Sequence, residues 1–298
     1  MNFASFIDSL PRFFRRQKVI QLGLFFRPVW RTQEVRFNGD ARVMVDFADP
    51  NARAYFIHHS FEPEFFEIAM PFLSAGGRMF DVGANFGFCG FGAVAGLPDH
   101  KLELHLFEAN ANLCGYLRES ARFYPETTIK VNHCCVSDHD GESRLAISRS
   151  DLGQSFISAE AGEIVGNLIL DRYIEKNGID RIAFTKIDIE GYEPHALRGA
   201  VNALRAGILE VIYLEVSEPL LKRSGFTTRD CLTLLTQAGY SLYFCKDKDL
   251  SSAALKGREP QFLKVAGSRI PIAKVDSLDF PEGFASDILA VHRNCRLR

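Results

Sequence analysis

The sequence carries almost no net charge: 35 Lys and Arg against 37 Asp and Glu leave −2 over 298 residues. No basic excess is available to hold a polyanion, so nucleic acid is not expected as a partner. Nor is there an apolar run near the ~18 residues that a membrane-spanning helix needs. Residues 1–30 show no signal-peptide pattern. The seven cysteines are odd in number and include no CxxC pair. That speaks against a disulfide framework and for reduced thiols in a cytoplasmic protein. Internal repeats and low-complexity tracts are absent too. What remains, 47% apolar and 24% charged residues, is an ordinary globular composition with enough apolar mass for a large core.

The first thirty residues stand apart. Phe3, Phe6, Ile7, Leu10, Phe13 and Phe14 follow helical spacing among Arg12, Arg15, Arg16 and Lys18. Pro11 should divide such a helix. Two readings fit: a lid packed on the main domain, or an amphipathic segment that meets a membrane surface peripherally or a partner. EVRF-NG-DARVMVDFA then reads as a hairpin, with Asn38-Gly39 at its turn. Residues 1–59 are therefore taken as an N-terminal extension and 60–298 as the main domain.

From about Ser60 the pattern alternates. RMFDV, LELHLFE, TIKVNHCCV, IAFTKID, EVIYLEV, SLYFCK and DILAVH look like strands. Helical patterns cover 62–74, 110–122, 193–206 and 228–238, and 248–285 looks like loop. Alternation of this kind implies a doubly wound, mostly parallel α/β sheet, here of seven strands. Cys134 and Cys135 follow His133, but their apolar flanks suit a buried strand better than a metal site.

The most informative segment is Phe80-Asp81-Val82-Gly83-Ala84-Asn85-Phe86-Gly87, a strand, a small-residue turn and a helix start. Backbone there can approach a ligand closely, and the helix N-terminus offers free N–H groups. The dinucleotide fingerprint G-x-G-x-x-G fails, because Asn85 stands where the second glycine is needed. Asp81 would repel a pyrophosphate but suits the ammonium and sulfonium of S-adenosylmethionine. Its competing role is a local turn carboxylate. Glu108 ends the next strand, placed to accept ribose hydroxyls, with Ala109 following. Ser137 and Asp138, at the end of the third, would complete the adenosine site.

These blocks resemble the FkbM family of S-adenosylmethionine-dependent methyltransferases. The matching residues are FDVGANFGF at 80–88, LFEANAN at 106–112, LD at 170–171, KIDIEGYEPHALRGA at 186–200 and YLEV at 213–216. The resemblance implies a class I methyltransferase fold with a Rossmann-like sheet. It also implies methyl transfer to a hydroxyl of a glycan, a glycolipid or another small molecule such as a secondary metabolite. The family commonly has FEP at the ribose turn, where this chain has Glu108-Ala109.

Asp188, ending IAFTKID, is the first candidate for the base that takes the acceptor proton, and Glu215 the second. With Glu190 these carboxylates could instead hold a divalent cation such as Mg²⁺, although no spacing demands one. Glu193 reads as helix N-terminal charge compensation, Lys186 as half of an ion pair. His58, His59 and His195 have no partner visible in the sequence and read as structural or peripheral. Two further readings are carried: a nicotinamide-dependent oxidoreductase, and a catalytically silent protein that keeps the fold as a scaffold.

Overall fold

The computed structural model describes residues 20, 31–97, 102–148, 155–158, 160–250 and 261–295. The amphipathic stripe at 3–14 lies outside them. Among the described residues no helix is long and apolar enough to cross a membrane.

Strands β1 (Thr32–Phe37) and β2 (Ala41–Asp46) form the expected hairpin, antiparallel about Asn38 and Gly39. Its apolar side packs on the helices Phe88–Ala95 and Ala111–Ala121, with Phe37, Val43 and Phe47 buried in the same core. Three hydrogen bonds fix the contact: Met44 N–H donates to Ser120 Oγ (2.8 Å), Arg42 N–H to the Tyr124 hydroxyl (2.7 Å), and that hydroxyl to the Arg42 carbonyl (2.9 Å). A further helix, Pro50–His58, follows, capped by the Asp49 carboxylate on the N–H groups of Asn51 and Ala52.

The main sheet comprises β3 (Gly77–Val82), β4 (Leu102–Glu108), β5 (Ile129–His133), β10 (Phe184–Ile187), β11 (Val211–Ser217), β12 (Tyr240–Phe244), β13 (Gln261–Val265), β14 (Ser268–Lys274) and β15 (Ala285–His292). Their spatial order is β5-β4-β3-β10-β11-β15-β12-β14-β13. β5, β4, β3, β10 and β11 are parallel; β15 runs antiparallel between β11 and β12. β3, β4, β10 and β11 are buried on both faces, as their mainly apolar runs require, whereas the edge strand β5 is only half-buried. Successive residues supply opposite cores: Met79, Leu104 and Tyr213 face the helices Pro63–Leu73, Phe88–Ala95 and Ala111–Ala121. Phe80, Phe107 and Ile212 face the helices after Leu170 and Glu193 and the helix Thr228–Gln237.

Three details differ from the sequence reading. The main sheet has nine strands, because the stretch read as loop contains the hairpin β13–β14, turned by Ala266 and Gly267 at positive φ. Pro271 is tolerated in β14 because pairing with β12 involves only Ala273 and Lys274. The expected helix 193–206 is two helices, Glu193–Arg198 and Val201–Ala206. Between them Gly199 passes so close to the Ser137 carbonyl that a Cβ would lie 2.1 Å from its oxygen. Asp171 restarts the second helix by accepting the N–H groups of Asn202 and Ala203, at 2.9 Å each. Finally, β5 ends at His133, and the chain steps into a small second sheet of β6 (Cys135–Val136), β7 (Glu142–Ala146), β8 (Phe156–Ile157) and β9 (Glu163–Leu168).

Candidate active site

Every parallel strand of the main sheet delivers its last residues to one edge, where ligands bind in such folds. A cavity of about 280 Å³ occupies that edge. Asp81, Gly83, Ala84, Asn85, Glu108, Ala109 and Asp188 all line it.

The turn after β3 is held from two sides. Gly83 and Ala84 N–H both donate to the Phe107 carbonyl, at 2.9 and 3.1 Å. Asn85, at φ +52°, turns its N–H onto Glu108 Oε2 at 2.8 Å, while Asn110 N–H donates to Oε1 at 2.8 Å. Glu108 thus fastens the first and second strand ends together. The Ala109 N–H adds a third backbone donor, and the carboxylate retains acceptor capacity for a ligand hydroxyl. Burial raises the Glu108 pKa, opposed by these backbone donors. Gly87 caps the helix Phe88–Ala95 from behind, packed against Phe91 and Leu117, and is not part of the cavity wall.

Asp81 is buried. Its Oδ2 accepts the Gly90 N–H at 3.1 Å, and its Oδ1 has no partner. Burial pushes its pKa up to about 6, against the pull of Lys186. The Asn85 Oδ1 is also buried without a partner. Two orphaned acceptors in a wall of this kind call for a ligand that brings positive charge and donors.

Lys186 Nζ donates to Asp188 Oδ2 at 2.8 Å. The ion pair expected of Lys186 is therefore present. Burial alone would raise the Asp188 pKa, but Lys186 and a hydrogen bond from Glu215 hold it below the ordinary range. Glu215 is driven the other way by the charge of Asp188 and by burial. The pair therefore shares one proton, carried by Glu215. Glu215 is not in the cavity wall; it stands behind Asp188 at the end of β11. Asp287, opposite Glu215 on β15, pairs with Lys246 at 2.6 Å. Glu193 closes the turn after Asp188 by accepting the Ile189 and Gly191 N–H groups at 2.9 and 3.1 Å.

Ser137 and Asp138 lie outside the wall, whose third strand end is Cys134, Cys135 and Val136. Ser137 Oγ meets His139 and the Tyr192 hydroxyl, and Asp138 meets His139 and His195. His195, unpartnered in the sequence reading, has a carboxylate at 2.9 Å. Sequence reasoning missed the opposite wall, where Tyr55 and Phe61 each meet Phe88 with ring centroids 4.9 Å apart and each other at 4.8 Å. Glu62 joins them there; Phe156 and Ile157 come from the small sheet, within the motif-free stretch 140–165 that the sequence offers as a contributor to the acceptor pocket. None of these carried a motif.

A parallel sheet in which β15 returns antiparallel between β11 and β12, with acidic residues at the ends of β3 and β4, is the class I methyltransferase fold, here extended at its edge by the β13–β14 hairpin. The Methyltransferase FkbM domain matches residues 81–242, more than half of the chain. The chain therefore belongs to the FkbM methyltransferase family. Among curated proteins it is 24% identical over 168 residues to the hexuronic acid methyltransferase AglP of Haloferax volcanii, covering 56% of this chain and 65% of that one. The chain thus spans just under two thirds of this relative. Among solved structures, methyltransferase FkbM from Methylobacillus flagellatus is 19% identical, with a TM-score of 0.42 over 66% of this chain and 48% of that one. Fibrillarin from Aeropyrum pernix, solved with natively bound S-adenosyl-L-methionine, is 12% identical, with a TM-score of 0.39 over 87% and 82%.

Proposed function

We propose that the protein transfers the methyl group of S-adenosylmethionine to a hydroxyl oxygen of a sugar-containing acceptor, a glycan or glycolipid, with a secondary metabolite as the wider class. The observation that carries this is the convergence, in one cavity, of an unpartnered buried Asp81 oxygen, the Glu108-tied turn and the ionised Asp188. The sugar class draws support from the AglP relative, which acts on a hexuronic acid.

The residues fit the cofactor by charge and hydrogen-bonding capacity. Asp81 and the Asn85 amide oxygen would hold its ammonium end, and Glu108 would accept from the ribose. When bound, the cofactor supplies an electrophilic methyl carbon. The protein must hold the acceptor oxygen in line with it, which is where most of the rate advantage arises. Tyr55 and Phe61 offer an apolar wall on the acceptor side, and Asp188 takes the hydroxyl proton as the new carbon–oxygen bond forms. Lys186 keeps Asp188 ionised and so available, at some cost in basicity.

Glu108→Ala should weaken cofactor binding by roughly 1.5–3 kcal/mol, or about tenfold to a hundredfold, since bonds to a charged acceptor are lost. Isothermal calorimetry with S-adenosylhomocysteine checks it; equal affinity for variant and parent would remove Glu108 from the ribose site. Methyl-labelled cofactor with a panel of hexuronic acid and neutral glycosides then tests the acceptor class. Label bound but never transferred to any hydroxyl would favour the silent scaffold.

Asp81 makes the affinity pH-dependent. Its pKa in the free protein is pushed up to about 6, so below that value it is neutral and cannot pair a cation. Affinity should fall by about tenfold for each pH unit below the pKa, with proton release on binding near it. The sign for folding is opposite to that of an ordinary paired carboxylate. A raised carboxyl pKa means that the free protein loses stability as pH rises from the unfolded value of 3.8 towards 6. Calorimetry across this range in two buffers of different ionisation enthalpy measures the release. A flat affinity profile would sink the assignment.

A further inference from the structure

We infer that Asp138, His139 and His195 form a site for one divalent transition-metal ion of the zinc class, beside the cavity and separate from the Asp188 carboxylates. His195 Nδ1 and His139 Nδ1 both point at the same oxygen, Asp138 Oδ1, at 2.9 and 3.0 Å. The three ligand atoms lie within 4.8 Å of one another. In a tetrahedral zinc shell with metal–ligand bonds of ~2.0–2.1 Å, neighbouring ligand atoms sit roughly 3.3 Å apart. Each carboxylate–imidazole distance is thus within a few tenths of an ångström of that spacing, and the two imidazole nitrogens, no more than 4.8 Å apart, can close on an ion by a swing of the exposed His139 ring. Two imidazoles and one carboxylate are a zinc-type or late first-row donor set; magnesium and calcium prefer oxygen alone.

The arrangement is held before any ion arrives. The His195 ring stacks on Tyr192, with centroids 4.1 Å apart and planes 23° off parallel, and meets the Phe226 edge at 5.2 Å. Ser137 Oγ, 3.0 Å from His139 Nδ1, is a hydroxyl able to reorient when a metal takes that nitrogen. Side-chain exposures of 21% for His195, 23% for Asp138 and 53% for His139 leave one side open to solvent. That leaves a fourth position for water. An ion here would fasten the chain after β6 to the helix Glu193–Arg198, and through Tyr192 stiffen one wall of the cavity.

The test is zinc titration of the full chain, stripped with a chelator and free of affinity tag, followed by calorimetry and thermal melting. The parent should bind one zinc per chain and melt higher with it, and chelator should reverse the shift. His139→Ala, at an exposed position where folding is not at risk, should lower affinity at least about tenfold and abolish the shift. Asp138→Asn should act the same way. Cobalt(II) adds a spectroscopic readout: an intense visible band marks a four-coordinate N/O site in the parent and should vanish in His139→Ala. Cys295→Ser, made in parallel, should leave the high-affinity site intact, because that thiol is the least buried of the seven. Equal zinc affinity in parent and His139→Ala, or no binding by the parent at about a tenfold excess of zinc, would show that the two histidines only hydrogen-bond the carboxylate.

Discussion

Asp188→Asn is expected to slow methyl transfer at least about a hundredfold, the low end of the roughly 10²–10⁴ range for a general base. Cofactor affinity should stay within a few-fold, because Asp81 and Glu108 are untouched. The variant should also melt lower than the parent, since Lys186 loses the carboxylate 2.8 Å away; Asp81 remains as a counter-charge, and Glu215, freed from the charge of Asp188, can ionise in part compensation. An ion-pair partner removed from a buried site is costly, up to ~3–5 kcal/mol when nothing compensates; the one-third exposure of Asp188 reduces that figure. Glu215→Gln provides the contrast. Glu215 carries the shared proton, so the amide can donate the same hydrogen bond to Asp188 without adding charge. Turnover and stability at neutral pH should then be close to the parent. A raised carboxyl pKa costs the parent stability as pH rises above the ordinary carboxylate range, and Gln lacks that dependence. The variant should therefore gain on the parent in alkaline melts. Single-turnover rates with labelled methyl decide the assignment. Loss in Glu215→Gln with activity in Asp188→Asn moves the base to Glu215; activity in both means that alignment alone drives the reaction.

The strand ends that build this site were legible for a physical reason. A parallel strand in the sheet interior reads as a mainly apolar run, and an acidic residue at its C-terminal end marks the sheet edge. That holds for Asp81, Glu108 and Asp188. It fails for KVNHCCVSD, where apolar residues continue without a turn signal although β5 stops at His133. Cys134 through Val136 then face the cavity, and Ser137 and Asp138 are carried past it. The coupling of Asp188, Glu215 and Asp287 arises from lateral order, because β15 returns antiparallel beside β11. No local pattern encodes which strands become neighbours. Tyr55, Phe61 and Glu62 reach the cavity because the chain following the hairpin folds across the sheet edge, a packing event with no periodicity of its own. Likewise the pairing of His195 with Asp138 spans 57 positions and depends on Gly199 pressing against the Ser137 carbonyl.

Gly83→Ala should be the most damaging single methyl group that can be added to the turn after β3, where we propose the cofactor binds. Gly83 sits at φ +81°, where an L side chain costs roughly 1–2 kcal/mol. A Cβ there would also lie 1.8 Å from the Asp188 carbonyl oxygen and 2.9 Å from its carbon. Those atoms are backbone at the end of β10, fixed by Asp188 N–H donating to the Val82 carbonyl at 3.0 Å. Neither strand end can yield without moving the other, so overpacking adds about 1–3 kcal/mol more. A total near ~3 kcal/mol should lower the melting temperature by roughly 6–12 °C for a domain of this size. Cofactor binding should be lost beyond what stability explains, because the displacement separates Asp81 from Asp188 and pulls Asn85 off Glu108. Gly115→Ala is the matched control. It is exposed in the middle of the helix Ala111–Ala121, with nothing within 4 Å of the added carbon. There alanine should raise stability by about 0.4–1 kcal/mol and leave binding unchanged. Thermal melting and calorimetry on both variants test the pair. If Gly83→Ala binds S-adenosylhomocysteine as the parent does, the turn tolerates a rearrangement that this geometry forbids, and the cofactor must sit elsewhere along the sheet edge.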